Sequence, residues 1–128
     1  MKKRVTGFGG FFFKTKDPKE ISNWYNTHLG LNTDDYGCTF WWKDENGKKC
    51  STQWSPFKDD TEYFKPSDKP FMMNFRVENL VELLKVLKKE GVTIVGDMEE
   101  YDYGKFGWVL DPEGNKVELW EPVDKAFL

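Results

Sequence analysis

Apolar and polar positions alternate along this chain in two rhythms, and the order in which the rhythms change occurs twice. The β-prone run over 5–15 predicts a first strand. Asp17-Pro18-Lys19-Glu20 then supplies an N-cap, a proline at the first helical position and a capping-box glutamate. Ile21, Trp24, Tyr25, His28 and Leu29 recur behind it at helical spacing, and Gly30 provides the left-handed stop. Strands follow over 37–43 and 48–54, joined by the hairpin signal Asn46-Gly47.

A polar stretch over 58–69, with Asp59-Asp60, Pro66 and Asp68, reads as a linker between half-domains, and the pattern restarts after it. Residues 71–78 form another predicted strand. Asn79 caps a second helix with Glu82 three residues on, Leu80, Leu83, Leu84 and Leu87 make its apolar face, and Gly91 ends it. Strands near 93–97, 106–110 and 116–121 complete the second copy. Tyr36, Gly37, Trp41, Asp44, Gly47 and Lys49 recur as Tyr103, Gly104, Trp108, Asp111, Gly114 and Lys116, every pair at an offset of 67. Identities at one constant offset, with the element order also repeated, argue for a duplicated βαβββ unit. Module one covers about 1–57 and module two about 70–128, within a single domain over 1–128.

Composition narrows the function classes. A chain of 128 residues forms one compact unit, and no apolar run in it approaches the ~18 residues needed to cross a bilayer. The formal charge, 19 minus 22 or −3, offers no counterion-release attraction to a phosphate backbone, so neither nucleic acid nor membrane is expected as a partner. Eleven Phe, 6 Trp and 5 Tyr form a large π-surface that must be either core or the wall of a pocket. Met1-Lys2-Lys3-Arg4 imitates the start of a signal peptide, but the stretch after it contains Gly7, Gly9 and Gly10, stops at Lys14 and has no small-residue cleavage site. A cytoplasmic chain is expected. Cys38 and Cys50 flank the 44–47 turn out of register, which predicts two buried thiols in a reducing compartment rather than a disulfide. Gly7 to Phe13 imitates an RNA-binding strand and a dinucleotide fingerprint, yet Thr6 replaces the basic residue and Phe12 the third glycine. The run reads as a strand with Phe11 and Phe13 beneath helix 1 and Gly10 leaving space in a cleft.

Asp17-Pro18, Trp24-Tyr25, Leu29-Gly30-Leu31, the segment from Asn74 to Leu80 and above all Asp111-Pro112-Glu113-Gly114-Asn115-Lys116-Val117-Glu118-Leu119 carry a family resemblance. The chain resembles the vicinal oxygen chelate superfamily, which contains glyoxalase, the bleomycin-resistance proteins, the fosfomycin-resistance enzymes and the extradiol dioxygenases. The resemblance implies an α+β fold of two tandem βαβββ modules forming a U-shaped, curved mixed sheet around one cleft, in a homodimer. Catalytic members hold a divalent metal at equivalent positions on the first and last strand of each module. Those positions fall here on Gly10, Ser51, Met72 and Glu118, one good ligand of four, where a metal needs several converging donors. No metal cofactor is therefore expected. Gln53 and Asn74, each two residues beyond a family position, leave an oxygen-rich divalent site as the alternative. His28, the single histidine, reads as a partly buried residue near the end of helix 1, away from the cleft, and supplies neither a metal site nor a triad.

Strand alternation from Gly10, Met72 and Glu118 sends Phe12, Lys14, Asn74, Arg76 and Trp120 into the cleft. The resemblance adds Tyr103, Phe106 and Trp108, and the repeat adds Tyr36 and Trp41. An aromatic concavity with a few polar groups is the make-up of a small-molecule site. The first functional expectation is a metal-independent, bleomycin-resistance-like protein holding a planar or aromatic ligand. The alternative is a lyase, isomerase or dioxygenase of the same superfamily, with an atypical metal site or with Glu118 as general base and Arg76 stabilising an enolate. A third is a dimerising module whose rings close the cleft. Arg76 and Glu118 either pair with each other or stay free for a ligand. Lys2, Lys3, Arg4, Lys88, Lys89, Glu99 and Glu100 read as solvated charge.

Overall fold

Both helices begin at their predicted caps. The computed structural model describes residues 4–128; Met1, Lys2 and Lys3, with the expectations placed on them, lie outside the described residues. Strand β1 (Val5–Thr15) leads to Asp17, whose carboxylate accepts from the backbone N–H of Lys19 and Glu20 and opens α1 (Pro18–Leu29). After β2 (Cys38–Lys43) and β3 (Lys49–Lys58) the chain returns as β4 (Phe71–Val77), and Asn79 caps α2 (Leu80–Lys89) by accepting from Glu82 N. β5 (Glu99–Tyr101), β6 (Gly104–Leu110) and β7 (Lys116–Pro122) follow, and a short 3₁₀ helix over Asp124–Phe127 closes the chain.

The strands form one curled mixed sheet in the order β2-β3-β1-β4-β7-β6-β5. β1 and β4, the first strands of the two halves, meet antiparallel at its centre, and each runs parallel to the last strand of its own half. The duplication is visible atom by atom. Asp44 Oδ1 accepts from the N–H of residues 46 and 48, Asp111 Oδ1 from those of 113 and 115, and the turns close through Gly47 and Gly114 at φ 78° and 80°. The positive φ explains why glycine recurs there.

Two clusters sit on opposite faces of the second half. Val77, Leu80, Leu83, Val109 and Leu119 pack under α2, while Phe12, Phe64, Met72, Phe106, Trp108 and Trp120 fill the concave side. Among the described residues no helix is long and apolar enough to cross a membrane. Cys38 and Cys50 are buried free thiols, opposite Trp54 and Trp42 rather than each other.

Several sequence expectations need correction. The strand expected near 93–97 is a single bridge, Ile94 to Val109, because Gly96 turns the chain at φ 68° before β5 begins. The matching segment of the first half, 32–34, pairs with no strand. The apolar face read on α1 is only partly buried: Trp24, His28 and Leu29 are exposed, Ile21 is half-buried, and Tyr25 meets Trp54 of the sheet at 4.8 Å. The helix packs chiefly over β3, so one flank is covered and the other faces water. Phe13 packs on Trp54, which in turn meets Tyr25 of the helix, while Phe11 stacks on Phe71. Arg4, read as solvated charge, is substantially exposed and forms a two-pronged pair with Glu90 at 2.8 Å.

Candidate functional site: an aromatic cleft floored by Glu118

The register of three strands builds the floor of the concave side. Parallel β4 and β7 set Asn74 beside Glu118 and Arg76 beside Trp120, while antiparallel β6 sets Trp108 opposite Glu118 and Phe106 opposite Trp120. Glu118 is 2% exposed. Its Oε1 accepts from Asn74 Nδ2 at 2.6 Å, and its Oε2 accepts from Trp108 Nε1 at 2.9 Å and from the Tyr63 hydroxyl. Burial pushes the Glu118 carboxyl above its ordinary range, against the opposing pull of those donors and of Lys116. Burial, then the Glu118 charge, pushes the Tyr63 phenol up. Lys116 Nζ donates to the Tyr63 carbonyl at 2.7 Å and stands 5.3 Å and 5.4 Å from the Tyr63 and Trp108 ring centres, with its own pKa lowered by burial.

Arg76 does not join this cluster. Its two terminal nitrogens donate to the two carboxylate oxygens of Asp124 at 2.7 Å each, and Nη1 also donates to the Ser51 carbonyl at 3.1 Å. The guanidinium stands 5.4 Å from the Trp42 ring and 5.3 Å from that of Trp120. Ser51 Oγ donates to Asp124 at 2.8 Å, Gln53 donates to Ser51, and Thr39 donates to Gln53. Ser51 and Glu118 thus occupy matching places in the two halves, opposite Trp41 and Trp108, but Ser51 is engaged by the chain's own C-terminal segment.

Above this floor lies a cleft of about 810 Å³. Of the residues expected to line it, Phe12, Tyr36, Asn74, Tyr103, Phe106, Glu118 and Trp120 do so. Four others do not. Met72 is on the concave side but fully buried, sealed into the cluster of Phe12, Phe64 and Trp120, while the parallel register of β4 and β7 brings Asn74 beside Glu118. Trp41 sits on the outermost strand with Lys49 Nζ 4.5 Å from its ring centre. Arg76 is consumed by Asp124, and Trp108 stands behind Glu118, touching the site through its indole N–H.

The glycines of β1 make room for the floor. A Cβ at Gly9 would overlap the Asn74 amide oxygen and crowd Trp120, and one at Gly7 would press on Trp42. The Asn74 oxygen is buried and accepts no hydrogen bond. Residues not anticipated from sequence come from the connections. Tyr63 belongs to the stretch read as a polar linker, where an aromatic pair with the fully buried Phe64 was the available signal. Tyr101, Phe57 and Phe127 add further rings, and Asp34, Asp35 and Glu99 add acids.

A divalent metal does not fit this donor set. The hydrogens of Tyr63, Asn74 and Trp108 all point at the one carboxylate, and among the described residues no three His, Cys, Asp or Glu side chains converge. What the arrangement can do is grip a flat molecule between rings and present one buried acid to it.

The curled sheet, its paired halves and the concave face between them define the vicinal oxygen chelate fold, and this chain has it. The structure is similar to methylmalonyl-CoA epimerase from Mycobacterium tuberculosis, with a TM-score of 0.66 and 18% identity over 99% of this chain and 95% of that one. It is similar to a Streptomyces coelicolor methylmalonyl-CoA epimerase variant in complex with 2-nitronate-propionyl-CoA, at a TM-score of 0.69 and 11% identity over 93% and 99%. A glyoxalase/bleomycin resistance protein/dioxygenase superfamily member from Vibrio splendidus aligns at 0.56 and 12% identity over 87% and 95%. No family model and no curated protein sequence matches the chain.

Proposed function

We propose that this chain binds a planar small molecule in the aromatic cleft, without a metal ion and as a homodimer. The observation that carries the reading is that the rings leave the cleft open. Tyr36, Tyr101 and Tyr103 are 84%, 47% and 41% exposed at its rim, so the cleft is not closed by its own side chains. Tyr101 and Tyr103 stack at 5.3 Å, and Phe106 and Trp120 stack at 6.0 Å below them, which presents flat walls to a flat guest. The saturation of Glu118 by three donors supports metal independence. The open edge strand β2, with Phe40 47% exposed, supports a pairing surface, and the two buried thiols suit a reducing compartment.

Titration with a panel of bicyclic aromatics, quinoline among them, is expected to quench Trp120 saturably, with one site per chain and a light-scattering mass twice that of the chain. Phe106→Ala should weaken that binding about tenfold, through the loss of a stacked ring. Absence of saturable binding across the panel would sink the proposal.

A second reading, proton transfer by Glu118, is favoured by the upward-shifted carboxyl on the cleft floor next to the Tyr63 hydroxyl. With methylmalonyl-CoA as the probe, this reading expects isomerisation by the native chain that Glu118→Gln abolishes while affinity is kept. A wild-type rate indistinguishable from the uncatalysed one rejects it for that substrate.

A further inference from the structure

The charges around the cleft all have one sign. Its carboxylic acids are Asp34, Asp35, Glu99 and Glu118, and among the described residues no lysine, arginine or histidine lines it. The nearest cations are committed elsewhere. Arg76 is paired with Asp124, and Lys116 donates to the Tyr63 carbonyl from behind the Tyr63 and Trp108 rings. The rings sharpen the asymmetry, because the face of each carries the negative lobe of its quadrupole. Asn74, on the same lining, adds a buried amide oxygen with no donor. The cleft thus combines four carboxylates and several ring faces with no cationic side chain among the described residues.

From this geometry we infer that the ligand is a planar organic cation, which stacks between the rings and is held by the acids at the mouth. The inference rests on the proposed binding function and names the chemical class of its ligand. It also separates this cleft from one that receives a polyanion, since a phosphate or carboxylate entering here meets four acids and, among the described residues, no base. Tyr103 reports the same field: burial raises its phenol first, and Glu118, Glu99, Tyr36 and Asp102 raise it further.

The test compares three bicyclic probes of matched shape at pH 7.5: N-methylquinolinium, neutral quinoline and anionic quinaldate, each titrated calorimetrically against the full chain. N-methylquinolinium is expected to bind at least about tenfold tighter than quinoline, and quinaldate more weakly than either. The cation-to-neutral ratio should narrow when salt is raised from about 0.05 M to about 0.5 M, because mouth charges are screened. It should narrow also in Glu99→Gln combined with Asp35→Asn; both residues are exposed, so folding is preserved. Equal affinity for quinoline and N-methylquinolinium, or a preference for quinaldate, overturns the inference while leaving planar binding intact. Failure of all three probes overturns both.

Discussion

Arg76→Ala is expected to destabilise the protein by about 3–5 kcal/mol in urea unfolding, because it strands the Asp124 carboxylate without its partner. Both side chains are nearly inaccessible, at 5% and 7%, and the pair is two-pronged. Removing the guanidinium also takes away the cation between Trp42 and Trp120 and the donor to the Ser51 carbonyl. The acid limb of stability should change with it. Burial opposes ionisation of Asp124, but hydrogen bonds from Arg76 and Ser51 and the Arg76 charge outweigh it and hold the carboxyl below its ordinary range. A depressed folded pKa stabilises above the unfolded value of about 3.9, and that stability is lost as pH falls through the folded pKa. The native chain should therefore lose stability in this window, and Asp124→Asn should flatten that part of the curve. A loss below about 1 kcal/mol for Arg76→Ala would mean that the C-terminal segment is held by its rings instead.

Phe64→Ala should cost about 3–5 kcal/mol as a large-to-small change in a closed core. Phe64 is 0% exposed and packs with Phe57 at 5.2 Å in the cluster that contains Trp108 and Trp120. Its neighbour Tyr63 stacks on Phe57 and bonds Glu118. The variant should therefore loosen that hydroxyl as well, read as a shift of the Trp108 indole N–H resonance, since both donors share Glu118 Oε2. A midpoint unchanged in urea would show that the 59–70 segment is not part of the core.

This second case marks the boundary of what local pattern can reveal. Residues 58–69 are polar in composition, and composition reports the average environment of a stretch, not the destination of two rings within it. Asp124 carried no periodic signal at all, because its role depends on a strand 48 residues away. Met72 illustrates a different limit: alternation puts it on the concave side, opposite Phe12, but only the packed structure decides that Phe64 and its neighbours seal it away from the cleft.

By itself the sequence determined the duplicated module, both helix caps, most of the strands and the position of Glu118, because these depend on hydrogen bonds and side-chain alternation within a few residues. The aromatic excess was equally legible. Only the tertiary structure decided that Asn74, Trp108 and Tyr63 converge on Glu118, that Arg76 is consumed by Asp124, and that the cleft stays open with carboxylates as the charged groups among its described lining residues. Each of those facts joins residues far apart in the chain. Partner choice among buried polar groups is settled by which donors and acceptors the closed sheet brings within about 3 Å, a distance no linear pattern encodes.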